Sequence, residues 1–271
     1  MKFCRFLPLS STAGRTHAPV YGVLESDAVR EINGLPWGGW VEGHTLWDFK
    51  NVRLLAPCEP SKIVCVGRNY AAHAAELGNE IPKEPLIFLK PPSSIVGPDQ
   101  PVILPGASSR VEHEAELGVV IGKKCAYLSD DVDPLSYVLG YTCLNDVTAR
   151  DLQKFDVQFT RAKGFDTFCP VGPHIETQID PHNVLVECKV NGEVRQSGST
   201  SLMAFPVAFL IRWISRVMTL FPGDLIATGT PAGVGPLLGR DTVEVSVEGV
   251  GVLRNPVHAS GTGIAPTGGF R

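Results

Sequence analysis

The chain has 271 residues, 44% of them hydrophobic and 19% charged, with a formal net charge of −4. That composition supplies a real core and offers no basic field for nucleic acid. The longest apolar runs, such as VAFLI at 207–211, are far shorter than a membrane span, and MKFCRFLPLSSTAGR at the start lacks the long apolar stretch of a signal peptide. Seven cysteines without CxxC or Cys/His spacing point to buried free thiols in a reducing compartment, hence to a soluble cytoplasmic protein with neither a disulfide framework nor a zinc site.

Along the chain, residues 1–56 hold short strand-like pieces, VYGVLES and AVREING, broken by Gly, Pro and Ser, and read as a small β module. LLAPCEPSK leads from it into a main domain over 57–257. There the β signals strengthen: KIVCVG, PLIFLK, PVILP, ELGVVIG, YVLGYTCLND, VLVECKVNGEV, DLIATG and TVEVSVEGVGVL. The Asn-Gly in KVNGEV marks a hairpin.

Three helices are predicted. NYAAHAAELG has Asn69 as N-cap and Gly78 as the stop after the last turn. VTARDLQKF opens at Asp146 and puts Asp146, Arg150 and Gln153 on one face. A third begins near Pro206, with Phe209, Leu210, Trp213, Ile214 and Val217 at helical spacing toward a core. Strands outnumber helices without βαβ alternation, so the fold class is α+β and β-rich. Residues 258–271 read as a flexible tail.

The segment VEHEAELGVV, 111–120, carries Glu112, Glu114 and Glu116 at alternate positions, one face of a strand. Like charges so placed repel unless a partner cation is supplied. Asp146, at the end of an apolar strand, is the best candidate to join Glu114 and Glu116. Three carboxylates without Cys or His suit a hard divalent cation such as Mg²⁺ or Mn²⁺. The plainer reading, an edge strand whose glutamates face water, stays open at this level.

His73 and Glu76, at i and i+3, can touch, which would orient an imidazole as a general base; a surface ion pair is the ordinary alternative. Lys163 beside a bound anion would stabilise negative charge. ATGTPAGVGP at 227–236 has neither P-loop nor GxGxxG spacing and reads as a tight turn, whose threonines and amides suit a carboxylate.

Taken in series, GRNYAAHAAE, KEPLIFLKPPSSIVGP, VEHEAELGVVIGKK, LNDVTARDLQ, AKGFDTFCPVGP, VNGEVRQSGST and FPGDLIATGTPAGVGP resemble the fumarylacetoacetate hydrolase family, in order from about 62 to 255. The resemblance implies a mixed β-sandwich roll, usually a homodimer, with Mg²⁺ or Mn²⁺ on Glu114, Glu116 and Asp146. It further implies His73 and Glu76 as a water-activating pair, Lys163 near the reacting carbonyl, and Arg150, Gln153 and Thr230 at the substrate.

The activity so implied is hydrolysis of a C–C bond in a 2,4-dioxo acid of the acylpyruvate type, passing through an enolate. The alternatives on the same site are oxaloacetate decarboxylation or tautomerisation and isomerisation of 2-hydroxyhepta-2,4-diene-1,7-dioate. A non-catalytic module that holds a 2-oxo acid is the rival from another class.

Overall fold

In a computed structural model, which describes residues 1–9 and 18–260, three sheets build the chain. The largest has twelve strands. Its order runs through Lys2–Pro8, Cys169–Glu176, Val138–Asn145, Ala115–Ile121, Leu225–Ala227 and Ile63–Gly67 to Leu86–Lys90 at the edge. The N-terminal strands extend this same sheet, because Lys2 and Phe3 pair antiparallel with Glu176 and Ile175. A five-stranded sheet contains Leu185–Val190, Glu193–Ser199, Thr242–Val247 and Gly251–Ala259. His258 and Ala259 thus complete a strand, while 261–271, the rest of the expected tail, lie outside the described residues.

Ala115–Ile121 is the centre of the molecule. It pairs antiparallel with Val138–Asn145 on one side and Leu225–Ala227 on the other, and all seven residues are buried. Its two faces feed different cores. Leu117, Val119 and Ile121 pack with Val186, Cys188 and Val245 of the second sheet, whereas Val120 packs with Leu144, Leu225 and Ile63. The near-continuous apolar run follows from this burial on both faces. The edge-strand reading of the glutamates is therefore excluded: the strand is paired on both sides, and Glu112, Glu114 and Glu116 are all buried.

The described residues include four α-helices: α1 (Ala71–Glu76), α2 (Arg150–Asp156), α3 (Thr160–Lys163) and α4 (Val207–Val217). Gly78 does follow α1 with φ +69, as its stop signal requires. Asn69 is not the cap. The N-cap position is Tyr70, and the Asn69 amide instead donates to the carbonyls of Thr228 and Phe205 and accepts from the Phe205 amide.

Nor does the second helix open at Asp146. Thr148–Ala149 is a short strand pairing with Val111–His113, so α2 starts only at Arg150 and Asp146 lies on the approach to it. In α4 the core face is Val207, Leu210, Ile211 and Ile214; Phe209 and Val217 are exposed, because the buried stripe is rotated from the predicted one. All seven cysteines are buried and free. Among the described residues no helix is long and apolar enough to cross a membrane.

Candidate active site

The three glutamates straddle a break in the chain path. Val111–His113 belongs to a small three-stranded sheet and Ala115–Ile121 to the large one, with Glu114 at the junction. The junction is held through the backbone of Glu114. The Glu114 amide donates to Asn145 Oδ1 at 2.9 Å, and the Asp146 amide donates to the Glu114 carbonyl at 2.9 Å. This fixes the strand carrying Glu114 and Glu116 against the strand end carrying Asp146. One oxygen from each of the three side chains lies within 4.8 Å of the others, and all three residues are buried.

Three buried cations, Lys163, Lys90 and Arg150, surround these carboxylates and Glu112, and an exposed fourth, Arg110, stands at the rim. Lys163 Nζ donates to Glu114 Oε2 at 2.8 Å and to Asp146 Oδ2 at 2.6 Å. Lys90, only 1% exposed, donates to Asp146 Oδ1 at 2.6 Å and to the Val147 carbonyl at 3.1 Å. Arg150 spans Glu112 and Glu114, and Arg110 reaches Glu112 from the rim.

Charge is not evenly met. Burial raises the Glu114 carboxyl pKa, but Lys163 and Arg150 outweigh it and hold the group well below the carboxylate range. Glu116 has the opposite fate. Its one hydrogen bond is from the Gly229 amide at 2.7 Å, and burial, then Asp146 and Glu114, push its pKa well above normal. A cluster of oxygen donors that lacks positive charge at one member fits a hard divalent cation. Among the described residues no other group of three metal-ligating side chains converges.

The cluster forms part of the wall of a cavity of about 610 Å³, which His73, Glu76, Arg150, Gln153, Lys163 and Thr230 also line. His73 is 4% exposed, and its Nδ1 lies 3.4 Å from Glu76 Oε2. Glu76 is itself held by the Gly233 amide, at 3.1 and 3.2 Å to its two oxygens, so the glycine-rich turn at 227–236 anchors the dyad and Glu116 together. Gly229 has φ +99, and a Cβ there would sit 2.7 Å from Asn69 Cβ; only glycine fits the turn that aims this amide at Glu116.

Three expected substrate contacts have partners within the protein. Arg150 donates from Nε to Glu112 and from Nη1 to Gln153 Oε1 at 2.6 Å, as well as reaching Glu114. The Thr230 hydroxyl donates to the Ala115 carbonyl and accepts from Gln196 Nε2. Asp151 accepts from Ser108 and Ser109, fastening the loop before the first glutamate.

The sequence reading missed Lys90 and Gln196. Lys90 ends an apolar strand, LIFLK, a place where a lysine is costly unless paired, and that oddity is its signal. Gln196 binds His113 Nδ1, the Ala115 amide, Thr230 and the Pro231 carbonyl across two sheets. Nothing in the motif VRQSGS announces it.

Residues 62–258 match the fumarylacetoacetate (FAA) hydrolase C-terminal family, and residues 1–57 match the Rv2993c-like N-terminal family. A mitochondrial oxaloacetate tautomerase of Bos taurus is 47% identical over 219 residues, 76% of this chain and 69% of that protein. The crystal structure of 5-carboxymethyl-2-hydroxymuconate delta-isomerase from Mycobacterium smegmatis superposes with TM-score 0.85 at 44% identity, covering 96% of this chain and all of the other. A 2-hydroxyhepta-2,4-diene-1,7-dioate isomerase from Mycobacterium marinum gives TM-score 0.85 at 45% identity, over 96% and 99% of the two chains.

Proposed function

Because the chain belongs to the fumarylacetoacetate hydrolase family, we propose that it is a divalent-cation-dependent enzyme that shifts a proton beside the ketone of a 2-oxo acid. The reaction is a keto–enol tautomerisation or a double-bond isomerisation. The observation that carries this reading is the buried His73, backed by Glu76, in one cavity with the three-carboxylate cluster. Relatives named as a tautomerase and as isomerases support it over the acylpyruvate hydrolysis expected from the sequence.

Bound at Glu114, Glu116 and Asp146, Mg²⁺ or Mn²⁺ supplies Lewis-acid polarisation of the substrate's oxygens. The chain's own groups do the rest. His73, oriented through Nδ1 by Glu76, takes the proton at its other nitrogen and returns it at the new position. Lys163 offers an ammonium beside the oxyanion that forms; burial disfavours its charge, but Asp146 and Glu114 keep it protonated throughout. Arg150 keeps the cluster's geometry by bracing Glu112 and Glu114.

C–C hydrolysis remains the second reading. It is favoured by the double clasp of the Gly233 amide on Glu76, which fixes a dyad suited to activating water. Decay of oxaloacetate enol absorbance, followed beside pyruvate release from acetylpyruvate with Mg²⁺ and with EDTA, separates the two. The proposal expects cation-dependent enol–keto exchange, lost in His73→Ala with Mg²⁺ affinity retained. Pyruvate release without enol–keto exchange would replace it by the hydrolase reading.

A further inference from the structure

The positive side chains on the cavity wall differ in what they are free to hold. Lys163 and Arg150 are committed to carboxylates of the cluster, and Arg110 to Glu112. Lys154 is exposed, where water and salt screen it. Arg68 is half-buried, and its Nη1 donates to the side-chain oxygen of Asn79 at 2.8 Å, a neutral partner that leaves the charge unmatched. Among the described residues no carboxylate lies within ion-pair distance of it.

The backbone at Arg68 is held in place. Its φ is +58, a left-handed conformation that costs a residue with a side chain about 1–2 kcal/mol. The conformation is imposed from both sides. Gly67 is paired with Leu86 in the sheet, and Asn69, fully buried, is clamped by its three amide hydrogen bonds. The clamped turn thus fixes the point at which the Arg68 side chain leaves the backbone, on the wall of the cavity.

We infer that Arg68 selects for a 2-oxo acid that carries a second carboxylate, the guanidinium gripping the far carboxylate while the 2-oxo acid end lies at Glu114, Glu116 and Asp146. This rests on the functional reading above and adds to it a residue that determines specificity. A planar guanidinium with one nitrogen on Asn79 still has an edge for a bidentate carboxylate. The cavity volume falls in the ~300–1,000 Å³ of small-molecule sites, with room for such a diacid.

Titration calorimetry with Mg²⁺ present tests it, using 2-oxoglutarate and 5-methyl-2-oxohexanoate. The second replaces the far carboxylate by an isopropyl group of the same shape. The wild type is expected to prefer the diacid. Arg68→Gln should weaken 2-oxoglutarate by about 10- to 100-fold, the worth of a charge-assisted pair, and change the monoacid less than about twofold. Arg68→Lys should recover part of the loss.

Equal weakening of both ligands in Arg68→Gln would overturn the inference, since it would make Arg68 a strut for α1 through Asn79. Equal affinity of the wild type for the two ligands would overturn it as well. If the preference for the diacid depends on Arg68 while oxaloacetate enol decay is not accelerated, the inference stands and the assigned reaction falls.

Discussion

Replacing Lys90 by methionine keeps the volume and removes the charge from a place that water does not reach. Lys90 is 1% exposed, and its ammonium is shared between Asp146 Oδ1 and the Val147 carbonyl. Breaking one member of a buried pair costs about 3–5 kcal/mol, because the partner is left charged and unsolvated. Here Asp146 keeps Lys163 on its other oxygen at 2.6 Å, which places the loss near the lower end, about 3 kcal/mol. The assay is urea unfolding of EDTA-treated Lys90→Met beside wild type, with no added ion to mask the missing charge. At a slope of about 3 kcal/mol/M the midpoint falls by about 1 M. A variant within about 0.5 kcal/mol of wild type would refute the reasoning, for it would mean that Lys163 alone satisfies Asp146.

Three further outcomes are expected. Gly229→Ala pushes a Cβ to 2.7 Å from Asn69 and strains a φ of +99, so the amide that serves Glu116 shifts; Mg²⁺-induced stabilisation should drop by more than about tenfold in apparent affinity, read from thermal shifts across a Mg²⁺ series. Val157 ends α2 at φ +64 and is 79% exposed; Val157→Gly should raise stability by about 0.5–1 kcal/mol, a gain of a few degrees in Tm by calorimetry, since it removes strain and no packing. His174 is held by burial and by Lys2 at a pKa of about 4 against an ordinary 6.5. The unfolded chain takes up its proton first as pH falls. The neutral folded form therefore contributes fully above about 6.5 and loses that contribution down to about 4, about 3 kcal/mol in all. Urea midpoints from pH 7 to 4 should consequently fall less steeply in His174→Leu than in wild type, and parallel curves would reject the assignment.

Much of the site was legible in the one-dimensional pattern because its residues sit on regular spacings. Glu114 and Glu116 alternate in an otherwise apolar stretch that enters the central strand, and His73 and Glu76 fall a helical turn apart. Asp146 was found with the wrong local structure: the reading began a helix there, while pairing of Thr148–Ala149 with Val111–His113 held the chain extended until Arg150. Local propensity lost to a tertiary hydrogen-bonded pair. The same competition moved the α4 stripe off Phe209 and Val217 and took Asn69 from a cap to a clamp on Thr228 and Phe205.

What the sequence determined by itself is chemical inventory: which acids, bases and glycines occur, at what spacing, in a β-rich chain with a family resemblance. Which charges meet is decided only in three dimensions. Lys90 and Asp146 are 56 positions apart, as the hydrogen bond between them spans, and Gln196 reaches residues more than 80 positions away. Such partnerships depend on sheet order and on burial that strips away water, and neither quantity is a property of any short stretch of letters.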